Sequence, residues 1–211
     1  MFFLGFSSGL PLLLVFGTLS FWLREAGVNV ATIGLVSGVG LVYGIKWVWS
    51  PLVDRMSLPL LTKWFGARRA WLLVGQLLVV IGLVLIATTD PSKSIERVVF
   101  SALLVAFGSS TQDVALDAFR IESAKKEEQA ALAATYMAGY RVAMLWAGAG
   151  ALWIAALFDG AGSNTDVYKL SSWHFTYLIM AACMLVGLIT TLLSAEPKHE
   201  AKERKTKNLL E

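Results

Sequence analysis

Six apolar stretches, each about 20 residues long and joined by short polar or basic connections, constrain this chain more than anything else in it. About 20 such residues let a helix cross a hydrocarbon core about 30 Å thick. Inside that core every backbone N–H and C=O must be satisfied by the protein, and a helix does this within one segment. The chain therefore reads as an all-α polytopic membrane protein. Composition agrees, since 56% of its 211 residues are hydrophobic and only 16% charged, whereas soluble domains run nearer about 25% charged.

The first span extends from about Phe2 to Leu23 and leaves at Arg24 and Glu25. A signal peptide would need a basic n-region and a small-residue cleavage site, and neither is present. The span is expected to be retained, with the natural start lying upstream. The second, about Thr32 to Val53, holds Gly34, Gly38, Gly40 and Gly44. Glycines four apart let backbones approach closely, so this face is expected to pack on another helix.

Residues 54–69 form a basic connection to the third span, about Ala70 to Thr88, which a turn at Asp90 and Pro91 joins to the fourth, about Arg97 to Phe119. The charged loop IESAKKEEQ precedes the fifth, about Ala130 to Phe158, and the polar segment DGAGSNTDVYKLSS precedes the sixth, about Trp173 to Leu193. Residues 1–195 thus make one six-helix unit, and 196–211 a basic tail with nothing to bury in a core.

Orientation follows from the Lys and Arg counted on alternate sides. Arg55, Lys63, Arg68, Arg69, Arg120, Lys125, Lys126 and the basic tail share one side, against Arg24, Lys93, Arg97 and Lys169 on the other. The richer side is assigned to the cytoplasm, which puts both termini there. This gathering at span ends also accounts for a pI near 9.0 without nucleic acid as a partner. Cys183 is alone, so no intrachain disulfide forms, and His174 with His199 make no persuasive metal site. No cofactor is expected.

Four ionisable residues fall inside the spans: Lys46, Asp113, Asp117 and Arg141. Each costs about 2.5 to 3.5 kcal/mol at a helix centre on insertion scales, against a gain of about 0.3 to 0.6 for a Leu or Ile. They must face one another or water. Asp113 and Asp117 share a stripe of the fourth helix with Ser109, and Gln112 lies beside it, while Tyr43, Lys46 and Ser50 stack on the second. Two acids and two bases on three helices are expected to neutralise one another pairwise. On a structural reading the pairs only fix helix register, and Asp117 with Arg120 simply marks a helix end. On a functional one, a buried carboxylate exchanges a movable cation for a proton, as proton-driven symport requires.

Between Ser50 and Arg69 the chain resembles the major facilitator superfamily, whose second-to-third-span loop carries a pattern close to Gly-x-x-x-Asp-Arg-x-Gly-Arg-Arg. Ser50 stands at the first glycine, Asp54 and Arg55 match, and Gly66, Arg68 and Arg69 supply the end after an insertion. The resemblance implies that these residues form a cytoplasmic gating motif. GFSSGLPLLLVFGTLSFWL, KWVWSPLVDRM, GARRAWLL, SSTQDVALDAFR and AGYRVAMLWAGAGALW are similar, in that order and spacing, to AmpG-type muropeptide permeases. Acetyl-CoA transporter relatives share much of this pattern.

That resemblance implies import of N-acetylglucosaminyl-anhydromuropeptides across the bacterial inner membrane, driven by protons. Tyr43, Trp47, Tyr140 and Trp146 are candidates to stack on sugar rings, or else packing and lipid-interface residues. The superfamily uses twelve spans in two halves, so this chain is expected to be an N-terminal half whose partner is a C-terminal six-helix half. No internal repeat is visible between the two sets of three spans. An intramembrane enzyme is a competing class, but no H-E-x-x-H and no Cys/His cluster supports it. A non-transporting remnant or assembly subunit is a third.

Overall fold

The computed structural model describes residues 1–159 and 168–197; most of the loop before the sixth span, and the tail from 198 with His199, lie outside them. Among the described residues there is no strand. Six helices are long and apolar enough to cross a membrane: Phe2–Glu25, Val30–Val48, Ala67–Ala87, Ile95–Ser123, Lys126–Asp159 and Leu170–Leu193. Gly27, at φ 78°, makes the tight turn between the first two. Asn29 then caps the second by accepting from the Thr32 N–H at 2.8 Å.

Lipid tails are as apolar as leucine, so helices in a bilayer associate through close packing and polar contacts rather than hydrophobic burial. The first span is held against the fifth, and the third against the fourth, in this way. A Cβ on Gly5 would strike the Tyr136 carbonyl, and one on Gly139 the Phe2 carbonyl. Gly75 and Gly108 approach each other's backbones similarly. The sixth span closes the bundle across the first and third.

Both the first and fifth spans contain one wide, π-type turn, Leu14–Thr18 and Trp146–Gly150, and the two turns meet. Wide turns misalign backbone acceptors, and side chains from elsewhere take them up. Thr18 donates to the Ala147 carbonyl at 2.6 Å, and Tyr177 of the sixth span to Leu14 at 2.8 Å. At the end opposite the basic loops, Trp22 stacks on Trp173 with centroids 5.8 Å apart. The Trp173 indole donates to Glu25 at 2.7 Å.

The second span departs from the sequence expectation twice. It does not run as a regular helix to Val53: 3-10 turns at Gly38–Gly40 and Lys46–Val48 interrupt it, and a separate short helix, Ser50–Arg55, follows. Stacking of Tyr43, Lys46 and Ser50 is lost, and Ser50 bonds back to the Trp47 carbonyl at 3.3 Å. Its glycine face is also largely unpacked, since a Cβ at Gly34, Gly38 or Gly44 would meet nothing within 4 Å, and only Gly40 touches a neighbour, Phe16. Only 11% of this span is buried, against 61% for the first and fourth.

Two outcomes follow for the purified protein in detergent. Gly139→Leu drives the first and fifth spans apart and costs about 1 to 3 kcal/mol, a clear fall in Tm, whereas Gly34→Leu changes stability by no more than about 0.5 kcal/mol. In the turn before the fourth span, hydrogen bonds from the Ser92 hydroxyl and N–H, with Lys93 nearby, hold the Asp90 carboxyl below its usual range. A depressed carboxyl stabilises the fold above its unfolded pKa of about 3.9 and loses that contribution as pH falls further. Asp90→Asn should therefore lower Tm at neutral pH and flatten its acid limb.

Candidate functional site

Asp113 sits midway along the fourth span and accepts a hydrogen bond from Ser8 of the first. The Ser8 hydroxyl lies 3.1 Å from the Tyr136 hydroxyl of the fifth. The close glycine contact sets this up, because Gly5 and Ser8 are one turn apart on one helix and Gly139 and Tyr136 one turn apart on the other. Lys46 and Asp117 are the charges near enough to act on the carboxylate.

The expected pairwise neutralisation does not form. Among the described residues neither Lys46 nor Arg141 makes an ion pair within 4.0 Å, and Arg141 is exposed. The break in the second span puts Lys46 in a turn instead of on a helical stripe, and Asp113 is held by the Ser8 hydroxyl instead. Asp117, with 56% of its side chain exposed, pairs with Arg120 at 3.3 Å, three residues on.

Gln112 is fully buried and donates to Ser7 at 2.9 Å; across the bundle Thr191 donates to the Gln76 side-chain oxygen at 3.1 Å. A polar layer thus crosses the first, third, fourth, fifth and sixth spans. Ser7, Ser8, Gln76, Tyr136 and Thr191 were not singled out in the sequence, although Gln76 interrupts an otherwise apolar helix. Gly5 to Gly9 also spell G-x-S-x-G, a pattern the sequence reading overlooked. A nucleophile elbow needs a strand-to-helix turn, whereas Ser7 is buried inside a helix with its hydroxyl donating to the Leu4 carbonyl.

The four aromatic candidates separate. Tyr43 and Tyr140 lie near Asp113, and the Tyr43 hydroxyl faces Ser109 without a hydrogen bond of normal geometry. Trp47 is 70% exposed on the open second span, and Trp146 packs on Gly150 of its own helix.

At the basic end, Arg68 organises the connection. Its guanidinium binds Glu122 through Nε and Nη2, the latter at 2.7 Å, and Asp54 through Nη1 at 3.0 Å. Gly66, at φ 89°, opens the third span, and the Glu196 carboxylate occupies the space a side chain there would fill. Glu196 accepts from the Arg68 and Arg69 N–H groups, a negative charge at a helix N-terminus. Arg69 bonds the Thr191 and Leu192 carbonyls at 2.9 and 2.6 Å. Ends of the second, third, fourth and sixth spans are thereby tied together. Glu122 and Glu196 lie outside the motif residues, and Arg55 is exposed and makes no such bond among the described residues.

A bundle of six apolar helices that shelters a carboxylate and two amides among them, and leaves its second span largely uncovered, is a multi-pass membrane protein. The chain belongs to the Major Facilitator Superfamily, whose family model matches residues 1–210. It is 37% identical over 203 residues to the anhydromuropeptide permease of Escherichia coli K12, covering 96% of this chain and 38% of that protein. It is 36% identical over 203 residues to putative transporter AmpG 4 of Rickettsia felis, covering 96% of this chain and 46% of that one. Putative transporter AmpG 3 of Rickettsia typhi is 32% identical over 209 residues. The chain spans less than half the length of these curated relatives.

Removing one member of a buried ion pair costs about 3 to 5 kcal/mol, and less where water reaches the charge. The Glu122 side chain is 19% exposed and that of Asp54 49%. Glu122→Gln should thus destabilise more than Asp54→Asn, and Arg68→Lys, which loses the fork, should resemble Glu122→Gln. Thermal unfolding of the three variants checks the order.

Proposed function

We propose that this chain is the N-terminal six-helix half of a proton-coupled carrier importing anhydromuropeptides across the bacterial inner membrane, with both termini in the cytoplasm. It works beside a C-terminal six-helix half and makes or breaks no covalent bond in the solute. The observation that carries the reading is Asp113, a carboxylate that accepts from the neutral Ser8 hydroxyl, itself beside the Tyr136 hydroxyl, instead of being held by a fixed cation. Such a group can change its protonation without breaking an ion pair. The name of the Escherichia coli relative supplies the solute class.

The bare second span and the fifth, 33% buried, offer the surface for the other half. Carrier cycles of this kind rock one half against the other around a central site. The Arg68 cluster then serves as a rigid cytoplasmic corner for that motion, and Asp54 with Arg55 at its rim as the gating contact. Tyr43 and Tyr140, beside the carboxylate, are the aromatic faces retained for the sugar.

Co-expression with the C-terminal half of the Escherichia coli relative should restore accumulation of labelled anhydromuropeptide in cells lacking their own permease. In that pairing Asp113→Asn should lower uphill accumulation at least about tenfold, equivalent to about 1.4 kcal/mol, while downhill exchange persists. Undiminished uphill accumulation in Asp113→Asn removes the proton role. No uptake by any pairing, despite membrane insertion, removes the carrier reading.

A further inference from the structure

Tyr136 belongs to no motif considered so far, yet it ends a hydrogen-bonded chain that begins at Asp113 and passes through Ser8. Each of the two hydroxyls can donate one hydrogen and accept others. With Asp113 ionised, the carboxylate accepts from Ser8 and Ser8 from Tyr136, so both hydroxyl hydrogens are committed toward the acid. We propose that protonation of Asp113 reverses this chain and frees the Tyr136 hydroxyl to donate to a hydroxyl- or amide-bearing solute on the open face. The inference rests on Asp113 being the proton-binding group, and it assigns Tyr136 as the positioning residue that reports that proton to the solute site.

The hydrogen count closes. Two hydroxyl hydrogens serve three oxygen groups before protonation, and three hydrogens serve them after. The new proton, taken from water, sits on Asp113 and is donated to Ser8 Oγ. Ser8 then donates to Tyr136 Oη, whose own hydrogen has no further place in the chain. No heavy-atom bond changes. The three groups stand on the fourth, first and fifth helices, so the reversal crosses two interfaces.

The surroundings suit a reporter. Tyr136 is half-buried, its ring lies 6.0 Å from that of Tyr140, and the Arg120 guanidinium carbon sits 6.0 Å from its centroid. Arg120 in turn holds Asp117. The charged and titratable groups facing the chain are Lys46 and Tyr43 from the second span, Asp117 and Arg120 from the fourth, and Tyr140 from the fifth, with the exposed Arg141 acting on Tyr140. Ser8 is the first span's contribution and carries no charge. Asp113 is thus the acid that hydrogen-bonds the chain directly, at Ser8, among the described residues.

Acid-minus-neutral infrared difference spectra of the full chain in lipid nanodiscs, with ring-labelled tyrosine, test this without any transport assay. The expected spectrum contains a protonated-carboxyl band that Asp113→Asn removes, together with a tyrosine C–O band shift that Asp113→Asn and Tyr136→Phe both remove. Ser8→Ala should keep the carboxyl band and lose the tyrosine shift. A carboxyl band with no tyrosine shift, as when the proton sits on the other carboxylate oxygen, overturns the inference and leaves the proton site standing. So does a tyrosine shift that survives Ser8→Ala. Absence of any carboxyl band assignable to Asp113 overturns both readings. Unchanged helical circular dichroism in each variant establishes that the comparison is between folded proteins.

Discussion

The contact on which the rest depends is the approach of the first span to the fifth at Gly5 and Gly139. Each glycine faces a backbone carbonyl of the other helix, with no room for a methyl group between them. In lipid that closeness is itself the source of affinity, because apolar side chains gain nothing by leaving one apolar medium for another. One turn along, it also fixes how far Ser8 stands from Tyr136, and so how both stand to Asp113. Packing and chemistry here are two consequences of the same missing side chains.

The bundle deals with its charges by two different means. Where water reaches, at the basic end, Arg68 gathers two carboxylates and Glu196 caps the helix that Gly66 opens. A rigid planar donor with several N–H groups suits a fixed joint. Deeper in, Asp113 has dipoles around it and no counter-ion in contact. Its carboxylate accepts from the Ser8 hydroxyl and makes no ion pair within 4.0 Å among the described residues.

The second span is the element least committed to this unit. Turns interrupt it, three of its four glycines face open space, and Leu35 and Trp47 are 81% and 70% exposed. On the proposed reading, this poorly covered helix is the one that meets the other half. It also carries Lys46, whose charge acts on Asp113 although no ion pair joins the two among the described residues.

The number and approximate limits of the spans, their family pattern and the placing of Asp113, Gln112, Arg68 and Arg69 were all legible from the chain alone. Hydropathy over about 20 residues is a local property, and so is the cost of a charge within it. What tertiary structure decided was the partner of each group. Sequence reading assigned the glycine contact to the second span, and it paired Asp113 with Lys46 or Arg141, because glycines four apart and opposite charges look suitable wherever they occur. Ser8 lies 105 positions from Asp113 and 128 from Tyr136, and Glu196 lies 128 from Arg68. No local period encodes such separations. They are settled only when six helices compete for the same close contacts and each buried polar group takes the nearest donor or acceptor that packing allows.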